Sequence, residues 1–113
     1  MSGIAGVFGE AEGDLDPLLT RMRHRGPDSQ GVVQFDTGAF GHVRLATVDK
    51  DGGEQPLAGQ AEGSWLVCDG DIYNHEALRQ QFADYDYQTA SDNEIILPLY
   101  QRYGVGAVQH LDG

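Results

Sequence analysis

The second residue of this chain, Ser2, is the one whose position matters most for chemistry. A small residue behind Met1 lets a methionine aminopeptidase expose it, placing a hydroxyl and a free α-amine on one residue. An α-amine titrates near neutral pH and can take a proton from its own side chain, which is how an N-terminal nucleophile works. An ordinary first strand after a trimmed methionine explains the same residues equally well. Arg44 lies in a strand-like stretch and shares a face, by alternation, with His42 and Ala46. A guanidinium makes two parallel hydrogen bonds to a carboxylate, so a strand arginine here suits an acidic ligand; a surface or structural arginine is the alternative. Asp92 follows Ser91 in the first turn of an expected helix. The helix dipole favours an acid there, with or without a ligand.

Other candidate chemistry is thinner. The four histidines are scattered without ligand spacing, so no metal site is expected. Gly3, Gly6 and Gly9 are not followed by a Gly-Lys-Ser/Thr sequence and do not make a phosphate loop. The single cysteine, Cys68, excludes an internal disulfide and reads as a small buried hydrophobe in a strand. His24-Arg25-Gly26-Pro27-Asp28 reads as an architectural turn, because Pro and Gly fix it.

Four segments occur in order: His24-Arg25-Gly26-Pro27-Asp28, Gly41-His42-Val43-Arg44-Leu45-Ala46-Thr47-Val48-Asp49, Asp69-Gly70-Asp71-Ile72-Tyr73-Asn74-His75 and Ser91-Asp92-Asn93-Glu94-Ile95-Ile96-Leu97. With the start Met1-Ser2-Gly3-Ile4-Ala5-Gly6, the sequence resembles the N-terminal glutaminase domain of glutamine-dependent asparagine synthetases, a class II glutamine amidotransferase. The resemblance implies hydrolysis of L-glutamine to glutamate and ammonia without a cofactor. It implies that Arg44 holds the α-carboxylate of glutamine, that Asp92 meets its α-ammonium and that Asp71 helps to hold it. Asp69 and Gly70 fall at the oxyanion-hole positions, and Asn74 at the residue that braces them. Two departures stand out. The family begins Met-Cys-Gly where this chain has Ser2, and it reads Asn-Gly-Glu-Ile-Tyr-Asn where this chain reads Asp69-Gly70-Asp71-Ile72-Tyr73-Asn74.

Both departures fall on the chemistry. A thiolate is more available near neutral pH than an alkoxide. An ionised Asp69 donates no hydrogen bond and sets negative charge beside a developing oxyanion. Asp71 is one methylene shorter than the family's Glu. Glutaminase activity is therefore expected to be impaired or lost. The alternative expectation is a non-catalytic glutamine-binding or interaction module, as in asparagine-synthetase-like amide-forming enzymes that have lost the nucleophile. A synthetase-type partner chain or a homodimer is the expected protein partner.

The chain must position these groups with 113 residues, enough for one small core. Residues 3–8 read as a strand. Asp14 to Arg23 reads as a helix with Asp16 as cap and Pro17 at the first helical position. Strands Gly31 to Phe35 and Ala39 to Thr47 flank a hairpin turn at Asp36-Thr37-Gly38. Asp49 to Gln60 reads as a polar loop and Ser64 to Cys68 as another strand. Asn74 caps a helix to Phe82. Ser91 with Glu94 forms a capping box for a helix over 92–103, in which Pro98 costs stability or makes a kink. Gly104 ends it, and a short helix follows to His110.

Strands before helices give an α+β class. The resemblance sharpens this to the α/β/β/α sandwich of N-terminal-nucleophile hydrolases over residues 1–113. That sandwich is expected to be truncated, since the family's domain continues past Leu111-Asp112-Gly113 and no synthetase domain is present. No apolar run is long enough to span a membrane and no signal peptide precedes the first strand, so a cytoplasmic location is expected. The net charge is −11, from seven basic and eighteen acidic residues. Such a surface repels nucleic acid and anionic membranes.

Overall fold

A computed structural model describes residues 2–9, 14–45 and 53–113. Strand β1 spans Ser2–Phe8, helix α1 Asp16–Met22, β2 Ser29–Phe35, β3 Gly38–Arg44, β4 Leu57–Ala58 and β5 Trp65–Leu66; α2 spans His75–Gln81 and α3 Ile96–Tyr103. This is a mixed helix-and-sheet chain, as an α+β class requires. The expected extension of β3 through Thr47, the face position of Ala46 and the start of the loop at Asp49 lie outside the described residues.

The chain forms two compact units. The first comprises Met1–Thr47, Glu54–Pro56 and Val67–Asp69; the second comprises Val48–Gly53, Leu57–Leu66 and Gly70–Gly113.

In the first unit, three antiparallel strands run in the order β1-β3-β2. Opposite residues in such a pair share a face. One face carries Ala5 and Val7 of β1 with Ala39 and Val43 of β3. It packs on Leu15, Leu19 and Met22, which recur at helical spacing along α1 and the residue before it. The other face carries Ser2, Arg44 and His42 towards one end, through the registers Ser2↔Arg44 and Ile4↔His42. At its other end Phe40 meets Phe8 and Phe35 edge-to-face, with ring centroids 5.7 and 5.0 Å apart. The β2–β3 hairpin pairs Phe35 with Gly38, so the turn is the two residues Asp36-Thr37, and Gly38 belongs to the strand.

The carboxylate at the start of α1 comes from Asp14 rather than the expected Asp16. The Asp16 N–H donates to Asp14 Oδ1 at 3.0 Å, and Asp16 is itself the first helical residue. Two residues of offset move the acid from inside the helix to a position from which it reaches forward to an orphan N–H.

The second unit is built on Ile72, Leu78, Ile95, Leu99 and Ala107, with Phe82, Tyr87, Ile96 and Leu111 packed around them. The stretch expected to be a polar loop contains β4, which pairs with β5 through Leu57↔Leu66 and Ala58↔Trp65. The expected helix over 92–103 is divided into a 3₁₀ turn at Asp92–Ile95 and α3. That division explains Pro98. It falls in the first turn of α3, where an N–H has no intrahelical partner to lose.

Half of the expected capping box forms. Ser91 Oγ accepts from the Asn93 N–H, but Glu94 does not return to Ser91. The buried Glu94 carboxylate instead accepts from the N–H groups of Gln88 and Thr89 and from Thr89 Oγ1, at 2.6–2.8 Å. Gly104 stops α3 as expected, with φ +59°, and a 3₁₀ segment runs on to His110.

Candidate functional site

The turn after α1 is the first piece of the site. Arg25 N–H donates to Met22 O at 2.8 Å and Gly26 N–H to Arg23 O at 3.2 Å, which winds the chain tightly out of the helix. Pro27 then bridges to Arg44, and the Asp28 N–H donates to Arg44 O at 2.9 Å. The turn lies so close to β3 that a Cβ on Gly26 would collide with the backbone of Val43 and Arg44. Only glycine permits this approach.

The turn delivers the Arg25 guanidinium to the edge of β1. Its Nε donates to Ser2 O at 2.8 Å and its terminal nitrogen to Asp69 Oδ2 at 3.1 Å. Asp69 Oδ1 in turn accepts from the Ser2 nitrogen at 3.1 Å. Both backbone groups of Ser2 are thus satisfied by side chains from distant parts of the first unit. The Arg25 and Asp69 side chains are 41% and 28% exposed, so water screens the pair and its contribution is chiefly geometric.

Asp69 is placed by its neighbour. The Cys68 N–H donates to the side-chain oxygen of the buried Gln55 at 2.6 Å. His42 Nε2 lies 3.1 Å from Cys68 O, and a carbonyl accepts only, so Nε2 carries the proton. Burial pushes the His42 pKa below its ordinary 6.5. The hydrogen bond to Cys68 and the charge of Asp69 oppose that shift, and the charge of Arg44 adds to it. A neutral imidazole and a buried amide therefore pin residues 67–69.

Arg44 is 6% exposed and stands directly across from Ser2 in the strand register. The first unit thus brings together Ser2, Arg44 and Asp69 of the residues singled out from the sequence. It adds Arg25, His42 and Gln55. Arg25 stood in a quoted segment but read only as part of a turn, and Gln55, inside a polar stretch, offered no signal.

Gly70, Asp71, Asn74 and Asp92 belong to the second unit. Asp92 is buried, and its Oδ2 accepts from the Ile72 N–H at 2.6 Å. Asn74 makes no side-chain cap on α2, contrary to expectation. Its Nδ2 donates to His110 O and its Oδ1 accepts from the Asp112 N–H, each at 2.9 Å, while the Tyr73 N–H donates to Asp112 O at 2.6 Å. Its amide is drawn to the returning segment 110–112, which supplies both a donor and an acceptor. Gly70 and Asp71 are exposed. Among the described residues, no three His, Cys, Asp or Glu side chains gather as a metal would require. No helix among them is long and apolar enough to cross a membrane.

The chain belongs to the glutamine amidotransferase domain family, whose pattern matches residues 1–113. A glutamine-hydrolysing asparagine synthetase of Oryza sativa subsp. japonica is 40% identical over 119 residues, covering all of this chain and 20% of the relative. Asparagine synthetase B of Escherichia coli K12 is 46% identical over 97 residues, covering 85% of this chain and 18% of the relative. A glutamine-hydrolysing asparagine synthetase of Saccharomyces cerevisiae is 42% identical over 97 residues, with 85% and 17% covered. The chain spans about a fifth of the length of these curated relatives.

Proposed function

We propose that this chain is an asparagine-synthetase-type glutaminase domain that binds free L-glutamine and hydrolyses it poorly or not at all. The observation that carries the reading is the buried Arg44 placed across β1–β3 from Ser2. In this reading Arg44 takes the α-carboxylate of glutamine in a bidentate pair. By the resemblance, Asp92 would take the α-ammonium and Asp71 would assist. By the same resemblance, Ser2 Oγ would be the nucleophile toward the side-chain amide carbon, and the Gly70 N–H the donor left for the oxyanion. Attack would pass the hydroxyl proton to the α-amine and then to departing ammonia, leaving an ester for water to cleave.

Two changes weaken that sequence. A serine hydroxyl is a poorer nucleophile at neutral pH than a thiolate. Asp69 replaces a donor by a carboxylate, and losing one oxyanion donor typically costs about 10²–10³ in rate. The engagement of Asp69 by Arg25 and Ser2 favours a second reading, a binding or interaction module without hydrolysis. The relatives' names support a synthetase region or partner as the recipient of any ammonia, and the sandwich of N-terminal-nucleophile hydrolases is proposed as the complete fold from the resemblance alone. A cytoplasmic location goes with that reading.

Calorimetric titration with L-glutamine, beside an ammonia-release assay, tests the proposal. Weak binding with negligible ammonia is expected, and Arg44→Ala should abolish the binding while Arg44→Lys retains part of it. Equal binding by wild type and Arg44→Ala would remove Arg44 from the account.

A further inference from the structure

A carboxylate at position 69 deprives the oxyanion site of a donor, yet both of its oxygens are engaged. Oδ1 accepts from the Ser2 nitrogen and Oδ2 from Arg25, each at 3.1 Å. Both partners are donors, and a side chain between two donors must accept at both ends. Aspartate does so. Asparagine has one oxygen and an NH₂ group, so it would set a donor against either Ser2 or Arg25. The residue is therefore matched to its surroundings here, whatever it costs the reaction.

We propose that Asp69 is a positioning residue for the start of the chain: with Arg25 as its counter-ion it holds the Ser2 nitrogen as a proton donor, and so keeps the amine freed by loss of Met1 from serving as base to the Ser2 hydroxyl. This rests on reading Ser2 as the nucleophile position. In the structure that nitrogen is the amide joined to Met1, 3.1 Å from Asp69 Oδ1; once Met1 is lost, the amine left there acts as a base only through a free lone pair, which an ammonium lacks. An anion at hydrogen-bonding distance favours the ammonium.

The other groups facing this nitrogen act differently. Arg25 touches Ser2 O at 2.8 Å and Arg44 stands across the register, and both cations disfavour a third positive charge. His42, one pair further along the same face, is buried with its pKa lowered and is neutral at pH 7. Asp28 meets Arg44 through its backbone N–H. Asp69 is the acid that touches the nitrogen directly. Its removal leaves the amine beside two guanidinium groups, whereas removal of Arg25 leaves Asp69 to the amine alone.

Those two changes have opposite signs, which a loss of structure would not produce. The experiment uses the chain with Met1 removed, verified by mass, and with ¹³C in its four serines. The Ser2 Cβ shift is titrated from pH 5 to 10 without glutamine. Asp69→Asn should lower the midpoint by about one unit, a tenfold gain in neutral amine below the midpoint, and Arg25→Gln should raise it. An unchanged midpoint in Asp69→Asn, or shifts of the same sign in both variants, would overturn the proposal. Should Asp69→Asn not fold, a midpoint in Arg25→Gln at or below that of wild type overturns it alone. Glutamine binding plays no part in this titration, so a failure of the Arg44 site and a failure of the Asp69 tether are read separately.

Discussion

At the scale of single residues, the proposed function has Ser2 and Asp69 act on one transition state, so changes at the two should be non-additive. Ser2→Cys alone supplies a nucleophile that still faces a carboxylate. Asp69→Asn alone supplies a donor to a weak nucleophile. Either variant should gain less than about tenfold in ammonia release, and the pair together about 10²–10³. Additive gains would mean that the two positions do not share a reaction. His42 gives a pH prediction. Its folded pKa is lowered by burial, so below pH 6.5 the unfolded chain takes a proton that the folded chain refuses. Stability is therefore whole above 6.5 and falls as pH drops from there through the lowered value. Denaturant unfolding at pH 7.5 and 5.5 should show a loss in wild type that is smaller in His42→Gln. Ser2, Asp69 and Arg44 were singled out in the sequence through the motifs that carry the resemblance. The Arg25–Asp69 contact was not, because its partners lie 44 residues apart and local spacing says nothing of such a pair.

At the scale of elements, most of the order was legible and most of the ends were not. Alternation and a turn signal found the hairpin, and the two ladders of β3 fixed its register. The caps went astray because several acids and hydroxyls compete near each helix start. Asp14 outreached Asp16, and Glu94 found three donors in residues 88–89 instead of the Ser91 N–H. Strand β4 was hidden in a polar stretch because a two-residue strand has no period to read. The turn at residues 24–28 was legible as architecture, and its glycine makes the sharpest element-scale prediction. Gly26→Ala would drive a methyl group into the backbone of Val43 and Arg44. The chain cannot yield there without loosening the Asp28–Arg44 bond, so a loss of about 1–3 kcal/mol is expected in denaturant unfolding. The same change should weaken glutamine binding by displacing Arg44. A protein unaltered in both respects would mean that the turn stands off from β3.

At the scale of the whole molecule, the sequence order conceals how the chain is divided. Residues 54–56 and 67–69 belong to the first unit although the chain between them belongs to the second. Two short returns of this kind carry no composition signal, and they bring Asp69 to Ser2 of β1, Cys68 to His42 of β3 and Gln55 against Gly31 of β2. Charge, by contrast, is a property that the sequence states outright. Eighteen acidic residues face seven basic ones, for a net −11. A compact chain with that excess repels itself, and the expanded unfolded chain is relieved of the strain. Salt shortens the range of the repulsion to about 10 Å at 0.1 M and about 3 Å at 1 M, while the pair at Arg25 and Asp69, already in contact, loses comparatively little. Screening should therefore stabilise the fold, in contrast to a protein whose surface pairs are balanced. Raising sodium chloride from 0.02 to 0.5 M should lift Tm by about 5 °C, equivalent to roughly 1 kcal/mol in a domain of this size. Potassium chloride should act alike, since the effect is screening and not ion binding. A Tm that falls with salt would show that attractive pairs outweigh the net repulsion, and that the acidic excess is distributed among partners instead of acting as one field.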